Sequence, residues 1–315
     1  MITHQRWRLV LAGLAAAWSL LACGGGGSGS APVVSQPTSI LPQEPGAPAS
    51  VNNISADGLN WINYRRGQIG MPVLAPNAVI AKAAQGHADY QKLNDTVTHD
   101  QTVGKPGFTG VHLLDRLTAA GYTFANASYA YGEVISATTN DSGFYMAEEL
   151  ITAIYHRFVI FEPNFKEIGT GAATTSAGYT YFTSDFTANN GYGPGLGSGG
   201  LVVWPFNGQT KVPGNFFSDY ESPDPVAGVN EVGYPVSVHA DISAVLAVQS
   251  FTMRPRGGTD IAVKVLKADS DPDTPKSAAA IVPLAVLKAG TIYDVSFSGT
   301  VDGVAVTRSW FFTTK

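Results

Sequence analysis

The sequence predicts an α+β body followed by a small all-β sandwich, and three observations carry that prediction. Four stretches with helical apolar spacing fall between residues 55 and 160, and short β-rich runs lie between and after them. From Val236 onward the pattern is all-β. A length of 315 residues suits about two such bodies.

The first helix is expected over 56–69, where Leu59, Ile62 and Ile69 recur at helical spacing and Asp57 stands near the start as a cap. Residues 77–93 repeat the pattern behind Asn77 as N-cap. There Val79, Ile80, Ala83, Ala84 and Ala88 form a small-residue face for burial. A third helix, 111–120, stops at Gly121, and a fourth, 142–158, is the most apolar, with Met146, Leu150, Ile151 and Ile154. The β-rich runs are 133–138, 168–174 and 179–186. Helices enclosing a small antiparallel sheet define an α+β domain over 55–190.

Residues 191–235 read as a connector. Six glycines in 191–200 are followed by Pro205, Pro213, Pro223, Pro225 and Pro235. A phosphate-cradling Gly loop needs a following helix N-terminus and usually a Lys, and neither follows. Trp204, Phe206, Phe216 and Phe217 imply that the connector packs onto a domain. In 236–315, Asp302-Gly303 separates the alternating runs Tyr293/Val295/Phe297 and Val304/Val306, a strong hairpin signal. Ile261, Val263 and Val265 alternate likewise, and some seven short strands without cysteines imply a small β-sandwich.

The N-terminal segment reads as an address. Arg6 and Arg8 precede a 14-residue apolar run, Leu9 to Ala22, too short to span a bilayer, and the run ends Leu20-Leu21-Ala22-Cys23 before glycines. Residues 1–22 resemble a bacterial lipoprotein signal, with Cys23 as the lipidated residue. By the same resemblance, Gly24 in place of Asp favours the outer membrane. Residues 23–54 form a Gly/Ser- then Pro-rich tether. Removing Arg6 and Arg8 from the 19 basic residues leaves 17 against 24 acidic ones, a net charge of −7. With no Lys/Arg cluster, a nucleic-acid partner is excluded. Only 14% of residues are charged and the single cysteine forbids an intrachain disulfide, which fits an extracytoplasmic, membrane-anchored protein.

A run of motifs carries a family likeness. In order they are Asn63-x2-Arg66, Leu74 with Asn77, His87-Ala88, Thr98-His99, Asp115-Arg116, and Ala120-Gly121-Tyr122. Gly132-Glu133, His156-Arg157, Pro163-x-Phe165, Ile168-Gly169 and Gly171 complete it. From about 55 to 187 the chain resembles the bacterial form of the CAP superfamily (cysteine-rich secretory, antigen-five and pathogenesis-related). The C-terminal pattern resembles bacterial immunoglobulin-like modules. The likeness implies an α-β-α sandwich with a cleft of two His and two acidic residues, which in some members holds a divalent metal. By motif His99 matches the first His, Glu133 the first Glu and His156 the second His, while the second acid has no clean match. Glu149 and His156, seven apart on one helix, share a face but stand about 10 Å apart along its axis, too far to hold one ion.

Two imidazoles and a carboxylate can hold Zn²⁺ with an open position, and His156 with Glu133 can alternatively do acid–base work. No H-E-x-x-H and no G-x-S-x-G occurs. The leading expectation is a non-enzymatic binder of a lipid, another amphiphile or a metal in a His99/Glu133/His156 cleft. A metal-dependent hydrolase of peptide or cell-wall material comes second, and an adhesion or scaffold module third. His87 reads as a buried, satisfied histidine, His112 as a helix opener, and Arg157 as a structural partner of a carboxylate or of helix-end carbonyls. His239 falls in the sandwich. Asp269, Asp271 and Asp273 read as an acidic turn rather than a Ca²⁺ loop, because no EF-hand context follows.

Overall fold

The computed structural model describes residues 44–125 and 127–315 together with the backbone of 6–11. Cys23, the expected lipid anchor, and the tether up to residue 43 lie outside the described residues. Within the expected leader, Arg6–Leu11 forms β1. Among the described residues no helix is long and apolar enough to cross a membrane.

The α+β architecture is as expected. Its helices are α1 (Ile54–Gln68), α2 (Ala78–Asn94), α3 (Leu113–Ala120), α4 (Gly143–Thr152) and α5 (Ile154–Ile160). Its strands are β2 (Ala75–Pro76), β3 (Ala130–Thr138), β4 (Glu167–Thr174) and β5 (Thr180–Ala188). With β1 and β9 (Glu221–Ser222) they make one sheet in the order β2-β4-β5-β3-β1-β9. Pairing of β3 and β4 with β5 is antiparallel, and β1 runs parallel to β3.

Local chemistry explains most helix ends. Asn77 caps α2, its side chain accepting from Val79 N and Ile80 N, and Gly121 closes α3 at φ 103°, a left-handed conformation that suits glycine. The cap of α1 is Asn53 and not Asp57: Asn53 Oδ1 accepts from Ala56 N, while Asp57 accepts from Val51 N and Ser50 Oγ. The expected 142–158 helix is broken at Ala153, whose backbone is extended at ψ 124°. The start of α5 is held from outside the helix, as described below.

Several motif residues turn out to be scaffolding. Asn63 donates to Leu74 O and accepts from Leu74 N, fixing the turn after α1. Arg66, buried, donates to Pro72 O, Ile160 O and Glu162 O. Gly169 and Gly171 let β4 lie directly on α2, because a Cβ at either position would fall on backbone atoms of Ala81 or Gln85. Helix backbone cannot swing aside as a side chain can. Gly171→Ala should therefore cost about 1–3 kcal/mol, read as a lower urea midpoint. A midpoint equal to wild type would mean that α2 and β4 are not in such close contact.

The segment after residue 190 does more than connect. β6 (Val202–Trp204) and β7 (Gln209–Val212) join the C-terminal sheets, and β8 (Asn215–Phe217) pairs with β10 (Glu231–Gly233). The C-terminal strands are β11 (Val236–His239), β12 (Leu246–Pro255), β13 (Val263–Lys267), β14 (Ala278–Pro283), β15 (Ile292–Val301) and β16 (Val304–Thr314). Two four-stranded sheets result, β13-β14-β11-β6 and β12-β15-β16-β7. Tyr293, Val295 and Phe297 are buried in alternation along β15. Asp302 and Gly303, both at positive φ, make the hairpin turn. In β13 the fully buried residue is Leu266, and Val263 and Val265 are only half-buried.

The two bodies share one core. Phe161 packs edge-on against Trp204 and His239, and Trp204 Nε1 donates to Tyr234 Oη. Glu162 Oε1 accepts from Ile242 N, and Arg157 donates to Pro235 O. Trp204 and Phe216 are thus buried as the connector composition implies, whereas Phe217 stays 40% exposed.

Candidate functional site

Successive residues of a strand point to opposite faces of its sheet. On one face of β3, Tyr131 packs with Ile80 and Ala83 of α2 and with Leu113 and Leu117 of α3. Glu133, two residues on, shares that face. On the other face a Cβ at Gly132 would meet Val159 of α5, and Ser136 Oγ donates to Glu149 Oε2 of α4. This alternation sets Glu133 and Ser136 on opposite faces of the sheet.

Beneath α2 and α3, His99 Nδ1 lies 2.7 Å from Glu133 Oε1, and Arg116 donates to Glu133 Oε2 at 2.5 Å. Arg116 also donates to His99 O at 2.7 Å, so one guanidinium holds both the carboxylate and the histidine backbone. Burial by itself would raise the Glu133 carboxyl. The Arg116 charge, with the neighbouring imidazoles and the His99 hydrogen bond, outweighs burial and holds it well below the carboxylate range. Asp185, opposite Glu133 on β5, is fully buried; desolvation and the Glu133 charge push it well above that range. In this cluster the Arg116 guanidinium favours the anion of Glu133, and Glu133 in turn disfavours a second anion at Asp185. His99 Nδ1 faces the carboxylate, and its Nε2 is buried with no hydrogen-bond partner.

His87 is the satisfied buried histidine expected. Nε2 donates to Thr98 O at 2.7 Å, Nδ1 accepts from Gln101 Nε2 at 3.0 Å, and burial lowers its pKa to about 4. His112 opens α3 and reaches Asp100 Oδ1 at 3.0 Å.

His156 belongs to the other face. Its Nδ1 lies 3.0 Å from Glu221 Oε1, and both residues are fully buried. Glu221 also accepts from the backbone N–H groups of Ile154, Tyr155 and His156, the first turn of α5. A carboxylate from β9 thus caps α5 against its positive end. With α4 and α5 separate helices, the shared-face relation expected for Glu149 and His156 does not apply. Arg157 serves helix-end carbonyls as expected, donating to Ile151 O and Thr152 O. His239 is buried beside Phe158 and Phe161, with Ser237 Oγ 2.9 Å from its Nε2. Asp271 bonds Tyr155 Oη and Thr274 Oγ1, and Asp269 pairs with Lys267, as in an acidic turn.

The structure brings His99 and Glu133 together and sets His156 with a different acid. Among the described residues no three His, Cys, Asp or Glu side chains are grouped to hold a metal ion. A three-ligand zinc centre of His99, Glu133 and His156 does not fit this arrangement, nor does proton exchange between His156 and Glu133. Sequence reasoning missed Asp185 and Glu221. A lone acid among the hydroxyl and aromatic residues of 179–186 was a usable signal for Asp185. Nothing local marks Glu221, which sits in a Pro-rich connector.

Residues 59–186 match the family model described as CAP: Cysteine-rich secretory protein family. Over these residues the chain is similar to that family. Two solved structures are similar to the chain over part of its length. One is an extracellular protein containing an SCP domain from Bacillus anthracis str. Ames, with 23% identity and a TM-score of 0.36 over 44% of each chain. The chain therefore spans less than half of that protein's length. The other is an outer surface protein from Borrelia burgdorferi, with 15% identity and a TM-score of 0.35 over 42% of this chain and 90% of that one. No curated protein matches the chain. The matched residues include His99, Glu133 and His156, while the acid that faces His156, Glu221, lies beyond them.

Proposed function

We propose that this chain is an extracytoplasmic lipoprotein, anchored at Cys23 in the outer membrane, whose CAP domain binds an amphiphilic ligand and is not a metal-dependent hydrolase. The charged start, the short apolar run and the Gly/Ser/Pro tether support anchoring. The immunoglobulin-like sandwich is a rigid extension of the CAP domain, because the two share a core. One observation carries the preference for binding. Both Glu133 oxygens are taken by Arg116 and His99, and His156 faces the opposite side of the sheet, so the three residues do not converge on one reacting atom.

Zinc titration by calorimetry of wild type and of a His99→Ala/His156→Ala variant tests this. The expected result is the same weak, non-stoichiometric heat in both. Protein repurified from membrane extract should then carry an amphiphile detectable by mass spectrometry. One equivalent of zinc lost in the variant, or peptide turnover lost with His99→Ala, would restore the hydrolase reading. His99 Nε2, buried and without a partner, is the feature on which that second reading rests.

A further inference from the structure

A cavity of about 240 Å³ lies between α4 and the segment that carries β8, on the side of the sheet away from His99. Tyr145 and Glu149 of α4 form one wall, Phe216, Phe217 and Tyr220 the other, and Lys315 closes an edge. Glu149 is held through one oxygen only, Oε2, which accepts from Ser136 Oγ at 3.0 Å. Its neighbour Glu148 differs, being bonded to Arg65 and to Trp61 Nε1. Phe217, 40% exposed, and Tyr220 have ring centroids 5.5 Å apart.

The hydrogen bond that holds Glu149 comes from a hydroxyl and not from a cation, and aromatic rings lining the same cavity attract positive charge. A metal ion would need further ligands, and none is grouped there among the described residues. A weakly hydrated organic cation needs only one counter-charge and ring faces. We propose that this cavity binds a small organic ammonium ion, with Glu149 as its counter-ion and Tyr145, Phe217 and Tyr220 as its aromatic walls. The ion can be a free amine or the ammonium of a lipid headgroup. The site stands independently of the reading of His99 and Glu133, which face the other side of β3.

A pH dependence follows from the groups around Glu149. Burial raises its carboxyl to about 7, countered in part by the Ser136 hydrogen bond, so affinity should rise as pH passes upward through neutrality. Around it are Glu148 and Tyr145 on its own helix, Tyr179 beside β5, and Tyr220 and Lys315 in the cavity lining.

The test uses the full chain and isothermal calorimetry at pH 8. Choline is compared with its neutral isostere 3,3-dimethyl-1-butanol, and dihexanoylphosphatidylcholine distinguishes a lipid headgroup from a free amine as the source. Choline or the lipid should bind at least tenfold more tightly than the isostere, and binding should weaken at least threefold at pH 6. Glu149→Gln, which keeps the acceptor for Ser136, should abolish the preference, and Phe217→Ala should weaken it. Equal binding of ammonium and isostere, or an unchanged preference in folded Glu149→Gln protein, overturns the proposal.

Discussion

Glu133→Ala should lower folding stability by about 3–5 kcal/mol, because it leaves the buried Arg116 guanidinium without its carboxylate. Arg116 is 1% exposed and Glu133 also 1%, so water cannot enter to replace the lost partner. Glu133→Gln, which keeps one acceptor oxygen, should lose less. Replacing both charges, as in Glu133→Leu/Arg116→Met, should recover much of the loss, since no buried charge then stands alone. Urea unfolding followed by circular dichroism reads all three. A loss under about 1 kcal/mol for Glu133→Ala would show that the pair is not closed from solvent as described.

The same carboxylate sets a pH dependence. Its folded pKa lies below the unfolded value, near 4.5, so its contribution is complete above that pH and is lost as pH falls. Wild type should therefore lose stability below about pH 4.5 more steeply than Glu133→Gln, with chemical unfolding midpoints at pH 3, 4 and 6 as the measurement.

Glu221→Ala should destabilise by about 3 kcal/mol or more. Three backbone N–H groups and one imidazole lose their common acceptor in a place water does not reach. The loss should be localised. Hydrogen exchange at Tyr155 and His156 should accelerate well before that at core residues of the C-terminal sheets. Glu221→Gln should keep part of the protection through its amide oxygen. If those amides exchange at wild-type rates in Glu221→Ala, the start of α5 is not held by β9.

The difference between legible and hidden features follows the range of the interaction. Asn77 caps α2 through atoms two and three residues away, and Asp302-Gly303 turns a hairpin through its own dihedral preferences. Each is decided within a few residues. The break at Ala153 is different, since nothing in 142–158 opposes a continuous helix. The carboxylate that caps a new start at Ile154 comes from 67 residues away. For the same reason His99, Glu133 and His156 were nameable from their motifs, while their division between two faces was not.

The sequence by itself determined the α+β class and most helix and strand positions. Those follow from periodicity, caps and turns, which act over a few residues. Only the tertiary structure decided which buried groups meet. It paired Glu133 with Arg116 and Asp185, gave His156 to Glu221, and left Glu149 beside an aromatic cavity. A buried charge is stable only beside its partner, and which partner lies near is set by how the chain crosses the sheet.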